Sequence, residues 1–143
     1  MNEAFIVSGD RYATVATWGR VVQQALYGYK GGRKVICIHG DARGIDTIAK
    51  DWCEGHLVDT VPMPYIGAEG KLGGPMRNSA MVKVLLNLKL VGYTVSVHAF
   101  HDDLPGSNGT KNLTRLALDA DLGVYLHTTT GPERKITMED LAA

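Results

Sequence analysis

Short apolar runs without polar alternation occur repeatedly in this chain, and each precedes a segment whose apolar residues recur at helical spacing. The run at 35–38, for example, is rich in β-branched residues, which is typical of a strand covered on both faces. Strands of this kind that alternate with helices of about 10 to 15 residues form parallel strand–helix–strand units. The chain is therefore expected to build a parallel sheet with helices packed against it.

The same patterns place the individual elements. Five strands are expected, at 4–7, 35–38, 57–63, 94–100 and 122–126. Four helices are expected between them, at 15–29, 44–54, 75–88 and 113–120. Thr14 is a candidate N-cap, Pro75 suits the first turn of the third helix, and Thr137 suits the start of one further helical turn. We predict an α/β fold, Rossmann-like and doubly wound, with a mainly parallel five-stranded sheet and helices on both faces.

The chain length and composition fit one domain. With 143 residues it has the commonest size of a single domain, and we find no repeat, low-complexity tract or linker. We expect one domain over 1–127 and a C-terminal tail over 128–143. Glycine is the compositional departure, because its 17 copies are nearly twice the usual share of about 7%.

Charge and cysteine content bear on partners and compartment. Fifteen Lys and Arg balance fifteen Asp and Glu, so the chain has no overall basic field that would draw it to duplex nucleic acid or anionic lipid. Any anion site must therefore be local. Cys37 and Cys53 are expected as free, buried thiols, which fits a reducing cytoplasm. The sequence shows neither a signal-peptide pattern nor 18 consecutive apolar residues, so we expect a cytoplasmic protein without a membrane span.

Four glycine-bearing segments follow the predicted strands. In a parallel sheet every loop from strand to helix lies at the carboxyl edge, where open α/β sheets bind ligands. The segments expected to meet there are 9–11, 40–46, 73–78 and 105–110. Three of them open helices, whose first N–H groups are unpaired and attract anions. Arg43 and Arg77 can each clamp a phosphate or carboxylate, and Thr110 can add a hydroxyl donor. These loops predict a site for a phosphate-bearing ligand.

A purely structural interpretation competes with this prediction. Tight turns in such folds need glycine whether or not a ligand binds. Arg43 and Arg77 can also pair with Asp41, Asp46 or other surface acids. The convergence of four such loops at one edge favours the ligand interpretation.

Two common nucleotide motifs are absent from the sequence. There is no GxxxxGK followed by Ser or Thr, which argues against a P-loop NTPase. No GxGxxG follows the first strand, which argues against an ordinary nicotinamide dehydrogenase. The predicted anion site is of another kind.

The ordered set of loop motifs resembles a known superfamily. The motifs are Ser8-Gly-Asp-Arg11, His39-Gly-Asp-Ala-Arg-Gly-Ile-Asp46, Gly74-Pro-Met-Arg-Asn78 and Gly106-Ser-Asn-Gly-Thr110. In this order, between Phe5 and Leu126, they resemble the SLOG superfamily, specifically its small bacterial and phage domains of the YspA, cpYpsA-related type. The resemblance implies a Rossmann-like fold that binds a nucleotide or a derivative such as ADP-ribose or an NAD relative, as a sensor or a processing enzyme. We expect that the protein requires no cofactor besides this ligand.

Site residues and oligomeric state follow from the loops and the resemblance together. Relatives often dimerise, and exposed parts of the helix over 76–90 can supply a surface for this. The candidate ligand-binding residues are Gly9, Asp10, Arg11, Gly40, Arg43, Gly44, Asp46, Gly74, Arg77, Asn78, Gly106, Ser107, Asn108, Gly109 and Thr110.

Whether the site is catalytic depends on one position. In a related branch, the Lonely guy cytokinin-activating phosphoribohydrolases, an Arg and the Glu of a PGGxGTxxE motif cleave an N-glycosidic bond. The stretch 105–110 is similar to the first part of that motif, but Leu113 stands at the Glu position and cannot transfer a proton. If the chain is an enzyme, we expect a nucleotide N-glycosidic or phosphate-ester hydrolase in which Arg77 stabilises charge and Asp46 is the acid or base. Other loop carboxylates that can take that role are Asp10, Asp41 and Glu69.

Single-stranded DNA is a further candidate ligand. DNA-processing protein A, another relative, binds it, and such binding needs a basic groove with stacking aromatic residues. Tyr12 and Tyr65 lie in the right loops. The basic residues near them are Arg11, Arg43, Lys71, Arg77 and Lys111. Because acids are interspersed among these and the net charge is zero, we rank this function below the other two.

One cluster of potential metal ligands occurs in the sequence, namely His98, His101, Asp102 and Asp103. On a strand, positions 98 and 101 point to opposite faces, so both imidazoles can reach one ion only if the chain turns between them. We expect no metal site, and we expect these four residues to be solvated loop side chains.

Overall fold

The computed structural model describes residues 2–29, 34–64 and 73–142. Strands and helices alternate along these ranges. The strands are β1 (Glu3–Gly9), β2 (Val35–His39), β3 (Asp59–Pro62), β4 (Thr94–Phe100), β5 (Val124–His127) and β6 (Arg134–Lys135). The helices are α1 (Val15–Leu26), α2 (Ile45–Gly55), α3 (Gly73–Leu90) and α4 (Gly109–Asp119). Short 3-10 turns follow α1 and β6, at Tyr27–Tyr29 and Met138–Leu141.

The strands form one sheet in the order β3-β2-β1-β4-β5-β6. The first five strands of this order pair in parallel with their neighbours, and β6 is antiparallel to β5. In the centre, Glu3 of β1 lies in register with Val35 of β2 on one side and with Thr94 of β4 on the other. The α/β class and the mainly parallel sheet are confirmed, and this order is compatible with a Rossmann-like fold.

Two helical layers bury the sheet. The helices α1 and α2 pack with Phe5 and Cys37 in one apolar cluster, whereas α3 and α4 pack with Ile6 and Ile38 in the other. These neighbouring strand residues are all fully buried, since successive side chains of a strand point to opposite faces. Full burial of such a side chain stabilises the fold by about 1.5–3 kcal/mol. The double coverage accounts for apolar runs that lack alternation.

Several predicted local signals are confirmed. Thr14 caps α1, and its hydroxyl oxygen accepts a hydrogen bond from the Thr17 N–H at 3.4 Å. Pro75 lies in the first turn of α3, where its missing N–H has no intrahelical partner to lose. Thr137 caps the last 3-10 turn in a reciprocal arrangement with Asp140. Cys37 and Cys53 are buried free thiols.

The expected count of five strands is wrong. The segment expected as a tail contributes β6, in which Arg134 lies in register with Leu126 of β5. Ile136 and Leu141 beyond it are buried against the core at 2% and 3% exposure. The residues of β6 are exposed and charged, so no apolar alternation marked this short edge strand in the sequence.

Two further expectations fail at the protein surface. The third strand begins at Asp59 and not at Leu57, which is 92% exposed and has a positive φ of 60° in the turn after α2. The apolar spacing of the third helix also predicts a buried Met76, but Met76 is 52% exposed, whereas Val82 of the same helix is buried. Tyr65, Glu69 and Lys71, which the sequence suggested as candidate site residues, lie outside the described residues.

Candidate ligand-binding site

Two adjoining cavities of about 610 and 600 Å³ lie at the carboxyl edge of the sheet. They share five lining residues, which are Arg11, Ala42, Arg77, Asn108 and Gly109. We call the two cavities together the carboxyl-edge groove. Each of the two cavities has a volume in the range of about 300–1,000 Å³ that small-molecule sites occupy.

The structure brings most of the predicted site residues to this groove. One cavity is lined by Gly9, Asp10, Arg11, Asp46, Arg77, Gly106, Ser107, Asn108, Gly109 and Thr110. The other adds Gly40, Gly74 and Asn78. Arg43 and Gly44 line neither cavity. The four loops expected to meet at the carboxyl edge of the sheet therefore do so in the described parts of the chain.

Arg77 is held against the loop after β2. Its Nη1 donates to the carbonyl oxygen of Gly40 at 2.8 Å, and its Nε donates to Oδ1 of Asn78 at 3.0 Å. The guanidinium occupies the space that a Cβ at residue 40 would need, so a side chain there would displace it. Two of the five N–H donors of Arg77 are thus used, and the other three have no partner among the described residues.

The amide of Asn78 joins α3 to the start of α4. Its Nδ2 donates to the carbonyl oxygen of Gly109 at 3.1 Å and to Oδ1 of Asn112 at 3.0 Å. The residue is 3% exposed. Asn78 is therefore a positioning residue, because it fixes the guanidinium of Arg77 and the first turn of α4 relative to each other.

Asp46 lies in the first turn of α2 and accepts two backbone hydrogen bonds. Its Oδ2 receives the N–H of Gly40 at 2.9 Å and that of Ala42 at 3.2 Å. Burial raises the pKa of this carboxyl to about 6, although the two N–H groups and the nearby Arg77 each act to lower it. Asp46 thus pins the loop after β2 and presents to the groove a carboxyl that can hold or release a proton near neutral pH.

Gly44 serves loop packing. Its φ is +79°, and a Cβ there would meet the backbone of Asp10 and Arg11. The carbonyl oxygen of Asp10 accepts the N–H of Ile45, the first amide of α2, at 3.1 Å. The close approach of the loops after β1 and β2 therefore requires glycine without reference to a ligand.

The start of α4 presents amide groups to the groove. The first bond of the helix runs from the Asn112 N–H to the Asn108 carbonyl oxygen at 3.0 Å, so the amides of Gly109 and Thr110 precede it. Such amides carry the positive end of the helix dipole. The Thr110 hydroxyl lies 3.2 Å from the Ser8 hydroxyl. Ser8 begins the first loop motif of the sequence but was not among the candidate ligand-binding residues, although its place just before the end of β1 could have put it there.

Arg43 lies at the rim of the groove. It is exposed, and its guanidinium carbon is 5.3 Å from the ring centroid of Tyr12, which is itself 73% exposed. This arrangement is a cation–π contact. The sequence suggested that both arginines clamp a phosphate. The position of Arg77 in the lining of the groove is compatible with this role, whereas Arg43 lines neither cavity.

Leu113 lies in the core. It is fully buried in the apolar cluster beneath α3 and α4. The position that carries the catalytic Glu in the phosphoribohydrolase motif therefore faces away from the groove in this chain.

A third large cavity lies elsewhere, between α1 and α2, with a volume of about 640 Å³. Its lining includes Gly19, Arg20 and Trp52, from the bodies of the two helices. Backbone N–H groups inside helices are already bonded, so this cavity offers an anion fewer donors than the groove.

The four residues considered as a metal cluster do not converge. Asp102 accepts hydrogen bonds from the backbone and hydroxyl of Thr129, and His101 Nδ1 accepts from the Asp103 N–H. The expectation that His98 is a solvated loop side chain is wrong, since it is 5% exposed on β4. Tyr29, in the 3-10 turn after α1, packs against His98, and residue spacing did not reveal this contact.

Comparison with known proteins found no match among family models, curated proteins or solved structures. Within the described ranges, no helix combines the length and apolar character needed to cross a bilayer.

Proposed function

We propose that the carboxyl-edge groove binds a nucleotide or nucleotide-derived small molecule of the ADP-ribose, NAD or nucleoside phosphate type. One observation carries this proposal: Arg77, three of whose N–H donors have no partner among the described residues, lines the same cavity as the residues that supply the first amides of α4. Guanidinium and helix-start amides are the donors that proteins use for phosphate. Ribose hydroxyls can bond to Asp10 or Asp46, as an acidic residue does in dinucleotide sites.

The electrostatics of the groove favour an anion. Burial lowers the pKa of Arg77, and the positive charge of Arg11 lowers it further, whereas Asp46 acts in the opposite direction. Arg77 and Arg11 thus repel each other, and burial suppresses the charge of Asp46, which lines the groove together with Asp10 and Asp41. A bound phosphate would relieve that repulsion, and the same charges would select against a neutral ligand.

The topology supports the same proposal. In open α/β sheets, ligands bind where the strand order reverses, and in the order β3-β2-β1-β4-β5 the reversal lies between β1 and β4. The loops after these two strands supply Asp10 and Thr110 to the groove. We propose that the chain is a SLOG domain of the YspA type, acting as a sensor or processing domain in the cytoplasm.

Isothermal titration tests the binding proposal directly. The panel comprises ADP-ribose, NAD, AMP and cyclic nucleotides, applied to wild type, Arg77→Ala and Arg115→Ala. Arg115 is an exposed arginine on α4 outside the groove and is the matched control. We expect at least one panel member to bind with a dissociation constant below about 1 mM, and Arg77→Ala to weaken it at least about tenfold.

Two results would contradict the proposal. One is a lack of binding by every panel member. The other is binding that Arg77→Ala and Arg115→Ala affect equally. Affinity for a single-stranded oligonucleotide that fell steeply with salt would favour the DNA-binding alternative instead.

Hydrolysis of an N-glycosidic bond is a second candidate function, favoured by the carboxyl of Asp46. This group lines the same cavity as Arg77, and burial raises its pKa to about 6, which suits a general acid near neutral pH. We expect product from nucleoside monophosphates to disappear in Asp46→Asn while ligand binding persists. Absence of turnover in the wild type would rule this candidate out and leave the binding function standing.

A further inference from the structure

A second cluster of polar groups lies outside the carboxyl-edge groove. Nδ1 of His98, on β4, is 2.9 Å from Nε2 of His127, on β5. The carboxylate of Glu133 reaches the same Nε2 atom at 3.4 Å. One ligand atom from each of the three residues lies within 4.8 Å of the others, and no second group of this kind occurs among the described residues. The histidines are buried, whereas half of the Glu133 side chain is exposed.

We propose that His98, His127 and Glu133 bind a zinc-class divalent transition-metal ion. Two imidazole nitrogens and one carboxylate form a common ligand set for zinc, and the fourth position is then open to water. Zinc–ligand bonds of about 2.0–2.1 Å in a tetrahedron separate neighbouring ligand atoms by about 3.3 Å. The 3.4 Å spacing of His127 and Glu133 fits this value, and the two imidazoles would need to separate only slightly.

The surroundings of His98 hold its ring in the orientation that metal binding needs. Its Nε2 lies 2.9 Å from the hydroxyl of Tyr29, which lies 2.9 Å from the hydroxyl of Ser96. With the proton on Nε2 donated to Tyr29, and the phenol proton donated to Ser96, the lone pair of Nδ1 faces His127. Partners of this kind orient metal-bound histidines in known sites.

The ring of His127 is held by stacking, and one cavity gives solvent access to it. The ring stacks on Phe100 with centroids 4.6 Å apart and planes at 17°. A cavity of about 380 Å³ is lined by both His127 and Glu133. An ion can therefore enter from the Glu133 side, where water can take the remaining coordination position. Because these ligands line neither cavity of the groove, the inference is independent of the proposed function.

Metal titration of the whole chain tests the inference. Chelator-treated protein is titrated with Zn²⁺ by calorimetry and, in parallel, with Co²⁺, whose visible spectrum distinguishes four-coordinate from six-coordinate binding. Wild type is expected to bind one equivalent of Zn²⁺ and to give the intense spectrum of four-coordinate Co²⁺. Glu133→Gln should weaken Zn²⁺ binding at least about tenfold. His127→Ala should abolish it.

Matched controls make a negative result decisive. Glu139→Gln changes another exposed glutamate, and His101→Ala removes an imidazole outside the cluster. Both should bind Zn²⁺ as wild type does. The inference is overturned if wild type fails to bind Zn²⁺ or if Glu133→Gln and Glu139→Gln bind it equally. Since Glu133 is on the surface, its substitution tests the cluster even if His127→Ala fails to fold.

Discussion

The guanidinium of Arg77 occupies the space in which a side chain at Gly40 would begin, and it donates to the carbonyl oxygen of that residue at 2.8 Å. This relationship joins the loop after β2 to the start of α3. It also holds the arginine at the groove before any ligand arrives. A side chain that is already ordered loses less conformational entropy on binding, so the pairing favours affinity for an anion.

Gly40→Ala should displace Arg77. The added methyl meets the guanidinium, so the hydrogen bond between residues 77 and 40 is lost at a cost of about 1–2 kcal/mol. Ligand affinity should fall with it. Urea denaturation and calorimetry measure the two effects.

A control and a double variant test that mechanism. Gly55→Ala places a methyl in open space at the end of α2 and should leave stability within about 0.5–1 kcal/mol of wild type. In an Arg77→Ala background, the cost of Gly40→Ala should largely disappear. Additive costs in the double variant would contradict the proposed contact.

Asp46 should give the folded state a distinct pH dependence. Burial raises the pKa of its carboxyl from 3.8 to about 6, so between these values the folded chain binds more protons than the unfolded chain. The contribution of Asp46 to stability therefore decreases as pH rises from about 4 to about 6 and stays low above it.

Asp46→Asn isolates this effect, because its amide oxygen can still accept the N–H groups of Gly40 and Ala42. Relative to wild type, the variant should gain on the order of 3 kcal/mol between pH 4 and pH 7.5. Urea denaturation of both proteins across that interval measures the gain. A difference that does not change with pH would show that the carboxyl titrates normally in the folded state.

Asn78→Ala should destabilise the chain by about 2–3 kcal/mol. The variant leaves Nε of Arg77 and the carbonyl oxygen of Gly109 without their partner in a buried setting. Asn87→Ala, at an exposed position of the same helix, should change stability by less than about 0.5 kcal/mol. Thermal or urea unfolding compares the two, and equal effects would contradict a bridging role for Asn78.

Leu113→Glu should damage folding and not create a hydrolase. The position is fully buried among apolar side chains, so a carboxyl there would lower the stability of the protein by at least about 3 kcal/mol. Arg115→Glu, two residues further along α4 and exposed, should leave the fold intact. Circular dichroism measures whether each variant folds, and a nucleotide-hydrolysis assay measures whether it gains activity. A folded Leu113→Glu protein with new activity would contradict the placement of this residue.

Much of the fold could be predicted because burial on both faces of a parallel strand leaves a visible apolar run. The strand predicted at 35–38 for this reason differs from the observed β2, Val35–His39, by one residue. β6 could not be predicted, since its pairing depends on backbone hydrogen bonds and on the burial of Ile136, the residue that follows it. Sequence patterns report on burial and turn chemistry, and they carry little information on short exposed edges.

The site shows the same division. Strand ends and glycines sufficed to predict which loops meet at the carboxyl edge. They did not reveal that Gly44 packs one loop against another, or that Arg43 lies over Tyr12 at the rim. They also missed the contact of His98 with His127, which are separated by 29 positions. Such relationships depend on tertiary distances that residue types alone do not encode.

A nuclear magnetic resonance titration tests the central claim most directly. Isotope-labelled protein is titrated with ADP-ribose, NAD and AMP in turn, and the backbone amides are followed. The account predicts that at least one ligand shifts the amides of Gly109 and Thr110 together with the Arg77 side chain. No shift with any ligand, or shifts confined to Gly19 and Trp52 between α1 and α2, would contradict it.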